Sequence, residues 1–179
     1  MDTAVAIGLL TVWLTQAADH GYGPLPPKPL PAVMVMNQDG KAVPLPDLVR
    51  GKAVAVHFIF TSCSTACPLL GSLFRSTARR LPAANRDRML LSISVDPERD
   101  TPARLKGWLT QHGGSPRWQA VTLAPKDLEL VLEAFGQKSG TLAAHSTQVF
   151  YVSTKGEIVG RTTALPDSAG VASELIRLP

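Results

Sequence analysis

The chain has 179 residues, of which 45% are hydrophobic and 18% charged, and a formal net charge of +4. This length fits one globular domain with a tail, and the composition is that of an ordinary folded domain rather than a disordered or fibrous chain. The sequence contains no run of Lys and Arg with interleaved aromatic residues, so nothing in it points to nucleic-acid binding.

The amino terminus has the pattern of a targeting segment. Residues 4–14 form the apolar run AVAIGLLTVWL, which is shorter than the roughly 20 residues of a membrane-spanning helix. We therefore expect a signal peptide or a short membrane anchor over residues 1–17, although Asp2 stands where such segments usually carry positive charge. Export would place the protein in the periplasm or at the outer face of the inner membrane, where an unoccupied thiol pair tends to oxidise.

Residues 18–31 are rich in proline and predict an extended, semi-rigid linker ahead of a domain over residues 32–179. If cleavage follows Ala17, the mature chain begins Ala18-Asp19-His20. The free amine, two backbone amides and imidazole of such a terminus form a square-planar nitrogen set that suits Cu(II), which is a hypothesis for a second copper site.

The domain shows the order of elements of an α/β protein, with hydrophobic runs of strand length alternating with capped helical stretches. The predicted elements are, in chain order, a hairpin around Asp39-Gly40, a strand over 53–60 buried on both faces, a helix over 66–81, a strand over 90–95, a helix from Thr101-Pro102 to Gly113-Gly114, a strand over 119–123, a helix from Pro125 to Gly136, a hairpin around residues 154–156 and a final helix. This order predicts an α/β sandwich of the thioredoxin type with an N-terminal β-hairpin extension.

Both cysteines of the chain, Cys63 and Cys67, lie in the stretch FTSCSTACPLL, between the central strand and the following helix. Pro68 is tolerated only in a first helical turn, so Cys67 is expected at the helix start and Cys63 in the loop before it. Unpaired amides and the helix dipole favour thiolate there. A structural disulfide closing so short a loop would stabilise little. A redox pair and a metal site remain open.

The histidines differ in their settings. His57 lies within the predicted buried strand and is expected to be a core imidazole. His112 ends a predicted helix, where a cation is favourable. His20 belongs to the proline-rich linker, and His145 immediately precedes the strand STQVFYV, at its solvent edge.

The positive charge is concentrated in and after the predicted helix that follows the cysteines, where Asp87 alone opposes it. The arginines are Arg75, Arg79, Arg80, Arg86 and Arg88. Such a cluster is typical of a helix face that is exposed to solvent. The alternative interpretation is a surface that docks on an acidic protein or a membrane.

Four stretches resemble the Sco/SenC family of copper chaperones for cytochrome c oxidase assembly: NQDGKAVPL, FIFTSCSTACP, SISVDPERDTPARLKGWL and HSTQVFYVSTKGEIVG. The likeness covers about residues 33–178. It implies a thioredoxin-like fold and a copper site, Cu(I) or Cu(II), formed by Cys63, Cys67 and His145. It also implies delivery of copper to the copper-accepting subunit of cytochrome c oxidase, with reduction of that subunit's cysteines and exchange with other periplasmic copper carriers as further roles. In SVDPERDTP, Asp96-Pro97 is interpreted as a turn and Thr101-Pro102 as a helix start.

The chemistry agrees with the resemblance, because thiolates favour Cu(I) and imidazole suits both oxidation states of copper. The chain departs from the family pattern at Ala144, where members commonly have Asp, and at Phe60, where they commonly have Tyr. An acidic neighbour helps to orient a ligating imidazole, so Ala144 removes one support of His145.

The alternative function is a thiol-disulfide oxidoreductase or thiol peroxidase that uses Cys63 and Cys67 without metal. FTSC resembles a peroxidase loop. Such an enzyme needs no histidine some eighty residues away, and its cysteines are usually separated by two residues rather than three.

Overall fold

The computed structural model describes residues 22–137, 146–162 and 165–179. This part of the chain contains eight strands in one sheet and five helices. The strands are β1 Tyr22–Pro29, β2 Met34–Asn37, β3 Ala42–Pro44, β4 Ala53–Ile59, β5 Arg88–Ser94, β6 Trp118–Leu123, β7 Phe150–Val152 and β8 Glu157–Thr162. The helices are α1 Leu45–Val49, α2 Ala66–Arg80, α3 Pro102–Gln111, α4 Pro125–Ala134 and α5 Ser168–Arg177.

The sheet is mixed, with the strand order β1-β8-β7-β4-β5-β6-β2-β3. β4, β5 and β6 run parallel, and β7 and β8 form an antiparallel hairpin beside β4. The β2–β3 hairpin adds antiparallel to the outer edge of β6. This topology confirms the predicted thioredoxin-type sandwich with its hairpin extension.

The proline-rich segment differs from the semi-rigid linker that the sequence predicts over residues 18–31. Tyr22–Pro29 is a strand that pairs antiparallel with β8, with a shift in register between Pro24 and Lys28. Extended proline geometry is close to that of a strand, and an edge strand tolerates residues that lack an N–H. The folded sheet therefore begins before Ala32. The predicted signal segment and the Ala18-Asp19-His20 terminus lie outside the described residues.

The core has two layers, one on each face of the sheet, and β4 contributes to both because alternate residues of a strand point to opposite faces. Val54, Val56 and Phe58 pack towards α1 and α4, whereas Ala53, Ala55 and Ile59 pack towards α2, α3 and α5. All seven residues of β4 are buried, as predicted for the central strand.

The predicted helices form within about two residues of their expected ends. Thr101 caps α3, since its side chain accepts a hydrogen bond from the backbone N–H of Arg104 at 3.4 Å. The sequence did not predict the helix α1. It is only five residues long and follows β3 without a break, so it shows no helical period of its own. In the described part of the chain, no helix is both long enough and apolar enough to cross a bilayer.

Candidate metal centre

The two cysteines lie at the carboxyl end of β4, where open α/β sheets place their functional sites. β4 ends at Ile59 and α2 begins at Ala66, so Cys63 occupies the connecting loop and Cys67 the first turn of α2. The structure therefore confirms the positions predicted for both cysteines. Pro68 follows in the same first turn, where its missing N–H breaks no helical hydrogen bond.

The two sulfur atoms are held close together by the backbone. The N–H of Cys67 donates to Sγ of Cys63 at 3.3 Å, and the N–H of Cys63 donates to the carbonyl of Phe60 at 3.1 Å. Sγ of Cys63 is also 3.7 Å from Oγ1 of Thr65. Both cysteines are free thiols. Cys63 is half-buried and Cys67 fully buried, so one sulfur faces solvent and the other lies behind it.

The environment shifts the pKa values of the two thiols in opposite directions. Partial burial opposes ionisation of Cys63, but hydrogen bonds from Cys67 and Thr65 outweigh it and lower the pKa of Cys63. Burial raises the pKa of Cys67 to about 12, and the neighbouring Cys63 and the Asp100 carboxylate add to the increase. The expectation that the helix start favours thiolate is right for Cys63. It is wrong for Cys67, because loss of solvent outweighs the helix start at that position.

A buried carboxylate that sequence reasoning did not single out supports the cysteine loop. Asp100 is 1% exposed and accepts hydrogen bonds from the backbone N–H and hydroxyl of Thr61, the latter at 2.5 Å. It also accepts from the hydroxyl of Ser94, the last residue of β5, at 2.7 Å. DPERD was interpreted only as a turn before a helix. The sequence did contain a signal for this role. Asp100 follows β5 by a few residues, and parallel strands such as β4 and β5 end at the same edge of the sheet, where the cysteine loop lies.

His57 is a core residue, as expected. Its side chain is fully buried, with Nε2 at 2.6 Å from Oγ of Ser92 and its ring centroid 3.8 Å from that of Phe74. The indole N–H of Trp118 donates to the same hydroxyl at 2.8 Å. This hydrogen bonding and packing account for a buried imidazole without any metal.

His112 follows the last residue of α3, but its surroundings do not favour a cation. Its ring packs against Trp108, with centroids 4.6 Å apart, and burial lowers the pKa of His112. The expectation of a favourable cation at this helix end is therefore wrong, because desolvation disfavours the charged imidazole.

His145 and its neighbour Ala144 lie outside the described residues, as does His20. The described chain resumes at Ser146 and enters β7 at Phe150, which pairs antiparallel with Val56 of β4. β7 therefore starts near the carboxyl half of β4, towards the edge that carries the cysteine loop. Among the described residues, no group of three or more His, Cys, Asp or Glu side chains could hold a metal ion. Two sulfurs are the donors that this part of the chain brings together.

Known proteins resemble the chain in sequence and in fold. A SCO1 protein homologue of Bacillus subtilis is 44% identical over 70 residues, which cover 39% of this chain and 36% of that protein. That aligned segment thus spans about a third of the relative's length. ScoI of Bradyrhizobium japonicum, whose structure has copper bound, superimposes with a TM-score of 0.68 at 24% identity over 88% of this chain and 98% of that one.

A third comparison is with BsSco, described as having a disulfide switch and as a member of the Sco family of cytochrome c oxidase assembly proteins. It superimposes with a TM-score of 0.73 at 26% identity over 86% of this chain and 94% of that one. The family profile of SCO1/SenC matches residues 32–178, which is most of the sequence and includes the cysteine loop. The chain therefore belongs to the SCO1/SenC family.

Proposed function

We propose that this protein binds copper through Cys63, Cys67 and His145 and delivers it to the copper-accepting subunit of cytochrome c oxidase. The observation that carries the proposal is the pair of free thiols at the carboxyl end of β4, with Sγ of Cys63 accepting from the N–H of Cys67 at 3.3 Å. Membership of the SCO1/SenC family and the copper bound to a structural neighbour support it.

The donor set fits copper as a cargo. Soft thiolate ligands select Cu(I), and an added imidazole retains affinity for Cu(II). Two sulfurs and one nitrogen leave room for a further ligand, so a donor from the receiving protein can enter before the metal leaves. A closed zinc site would require a fourth protein ligand. Because Cys67 is buried and protonated, copper binding must displace its proton.

The course of the backbone supports His145 as the third ligand. Residues 146–149 connect to β7, and β7 enters the sheet beside the carboxyl half of β4. A ligand immediately before Ser146 would approach the cysteine loop from the neighbouring strand rather than from the same loop. Ligands on separate elements allow one of them to withdraw while the two sulfurs still hold the ion.

The place of action follows from the amino-terminal sequence. An exported protein, either in the periplasm or held at the outer face of the inner membrane by residues 1–17, would meet both periplasmic copper carriers and the oxidase subunit. Most of the proline-rich segment, Tyr22–Pro29, is already a strand of the domain.

Thiol-disulfide exchange is a second candidate function, and the unequal thiols favour it. Cys63 is partly exposed with a lowered pKa, which suits an attacking thiolate, and Cys67 lies behind it as a resolving thiol. Attack by Cys63 on a client disulfide would form a mixed disulfide, and Cys67 would displace the client. The client gains two electrons and two protons, and Cys63 and Cys67 become a disulfide. A thiol peroxidase would pass the same two electrons to a peroxide.

A competition titration with Cu(I) separates these functions. Reduced protein should bind one copper per chain, and Cys63→Ser or His145→Ala should weaken binding by at least about tenfold, as expected when a metal site loses a donor. Ser62→Ala, in the same loop, is the matched control and should bind as tightly as the unmodified protein. If His145→Ala binds copper as tightly as wild type and keeps full disulfide reductase activity, the result would contradict the copper-delivery function and favour the redox enzyme.

A further inference from the structure

A shallow apolar groove starts at Leu69, two residues after Cys67 in α2. It lies between α2 and the chain that leads into α5, and it has a volume of about 270 Å³. Two leucines border it that are unusually exposed, Leu69 at 59% and Leu165 at 46%. The lining residues are Leu69, Ser72, Leu73, Ser76, Leu165, Pro166 and Ser168. Exposed apolar side chains gathered around a concave surface are typical of interaction sites.

α2 carries a concentrated positive charge whose carboxyl-terminal part, Arg79 and Arg80, borders the groove, whereas Arg75 lies against Gly113 just after α3. α2 contains no acidic residue, and Arg75, Arg79 and Arg80 are exposed along it, with Arg86 exposed just beyond. Within residues 22–137, 146–162 and 165–179, none of these four guanidinium groups forms an ion pair with a carboxylate. Arg80 marks the far end of the groove, because its Nε donates to Oγ of Ser168 at 3.1 Å.

The spacing along α2 sets the size of what could bind. Leu69 is two residues after Cys67, and Arg79 and Arg80 lie about three turns further on, roughly 16 Å along the helix axis. An extended segment of about five residues covers that distance. Such a segment could place an apolar side chain between the leucines and carboxylates beside the arginines, while the chain next to it faces the cysteine loop.

We infer that this surface, formed by α2 and residues 165–168, docks an acidic protein segment that carries an apolar anchor, and that this segment belongs to the copper-accepting client. The identity of the client rests on the proposed function. The arginines that form no ion pair within the described residues select a negatively charged partner and accelerate the encounter, and the groove fixes its register. The partly exposed thiol of Cys63, in the loop before α2, is then the sulfur that the client's own ligands can approach. A concave groove holding two leucines fits a protein segment better than a flat membrane surface.

The first test measures copper transfer to the soluble copper-binding domain of the host cytochrome c oxidase subunit, under stopped flow. We expect Leu69→Ser, and the double variant Arg79→Glu with Arg80→Glu, each to lower the second-order rate constant by about tenfold or more at low salt. Raising the ionic strength from about 0.01 M to about 0.15 M should shrink the effect of the charge variant, since the screening length falls from about 30 Å to about 8 Å. The Cu(I) affinity of every variant should equal that of the unmodified protein.

Matched controls are available on α4, on the opposite face of the sheet. Leu130 is 51% exposed and Lys126 is exposed, so Leu130→Ser and Lys126→Glu make the same chemical changes away from the groove. Both should transfer copper at rates within about twofold of wild type. Equal rates for the groove variants and these controls would overturn the docking surface while leaving copper binding intact.

A second test does not depend on copper. The methyl resonances of Leu69 and Leu165 in the copper-free protein should shift when the same oxidase domain is added, and those of Leu130 should not. If these leucines do not shift, the inference is wrong whether or not the protein carries copper. Co-sedimentation with vesicles containing phosphatidylglycerol tests the membrane alternative. Binding to vesicles that Leu69→Ser abolishes, without any binding to the oxidase domain, would overturn the inference in favour of a lipid surface.

Discussion

The hydroxyl of Thr61 donates to the carboxylate of Asp100 at 2.5 Å, across 39 residues of sequence. This contact joins the second residue of the cysteine loop to the segment that precedes α3. The backbone N–H of Thr61 and the hydroxyl of Ser94 donate to the same buried carboxylate. Asp100 thereby fixes the start of the loop against the ends of β4 and β5, and with it the position from which Cys63 extends.

Replacing this carboxylate should destabilise the fold and loosen the loop. In Asp100→Asn, one acceptor oxygen becomes an NH₂ group that faces a donor, so we expect a loss of about 1–3 kcal/mol in the free energy of unfolding. The Cu(I) affinity should fall by about tenfold, the typical effect of losing support behind a metal ligand. Denaturant unfolding and copper competition measure the two effects. The exposed Glu98→Gln, two residues before Asp100, is the control and should change neither. An Asp100→Asn protein equal to wild type in both would contradict the assignment.

The two thiols should react at different rates with an alkylating agent. Cys63 is half-buried and has a lowered pKa, whereas Cys67 is fully buried with its pKa raised to about 12. With N-ethylmaleimide near neutral pH, we therefore expect Cys63 to be modified first and Cys67 only when the helix start opens. Peptide mapping by mass spectrometry measures the order. Equal rates in the folded protein, or faster reaction at Cys67, would contradict the environments described for them.

Oxidation should abolish copper uptake at this site. A disulfide between Cys63 and Cys67 removes both sulfur donors, so only the reduced protein should take up copper there, and bound copper should in turn slow alkylation of both thiols. Copper titrations of the oxidised and reduced protein, with His145→Ala in parallel, measure this. Uptake of copper at the same site by the oxidised protein, with unchanged affinity, would show that the sulfurs are not ligands.

Replacing either of two glycines in neighbouring helices with alanine should change the free energy of unfolding, in opposite directions at the two positions. A Cβ at Gly71 in α2 would lie 2.5 Å from Nδ1 of His112, so Gly71→Ala should cost about 1–3 kcal/mol as the ring is displaced from Trp108. Gly107 in α3 has nothing within 4 Å of the added atom, so Gly107→Ala should stabilise by up to about 1 kcal/mol. Thermal or denaturant unfolding measures both. Stabilisation by Gly71→Ala would mean that His112 does not pack there.

The free energy of unfolding should decrease as pH falls, and His112 should contribute part of that decrease. Burial lowers the pKa of this imidazole in the folded state, so the unfolded chain takes up the proton first as pH falls. The contribution is fully present above about pH 6.5, the ordinary pKa of histidine, and is lost as pH falls from there towards the folded-state pKa. The free energy of unfolding of wild type minus that of His112→Gln, measured from pH 8 to pH 5, should decrease with falling pH. A difference that stays constant, or that increases, would contradict a buried neutral imidazole.

Local patterns in the sequence were sufficient to predict the framework of the fold. The apolar run before the cysteines predicted the central strand, and Pro68 predicted the start of α2. Thr101 predicted the cap of α3. These features act over a few residues, because strand burial, proline geometry and helix capping depend mainly on near neighbours in the chain.

The surroundings of the cysteines depended on residues far away in the sequence. The strand pairing of Tyr22–Pro29 requires β8, and the support of Thr61 requires Asp100. Neither partner can be identified from the local sequence pattern, since many other segments of the chain offer groups that could form the same hydrogen bonds. The fully buried His57 was predicted as a core residue, but its hydrogen bond to Ser92 appears only when β4 and β5 are side by side.

The sequence alone determined which atoms are available for chemistry: two thiols separated by three residues at a strand-to-helix junction, and a histidine before a later strand. It also determined the arginine-rich stretch that follows. Tertiary structure decided that Cys67 is buried and protonated while Cys63 is partly exposed, because desolvation depends on what packs around a group. It also decided that Leu69 and Leu165, nearly a hundred residues apart, border one groove, since burial and exposure are properties of the packed chain rather than of any segment.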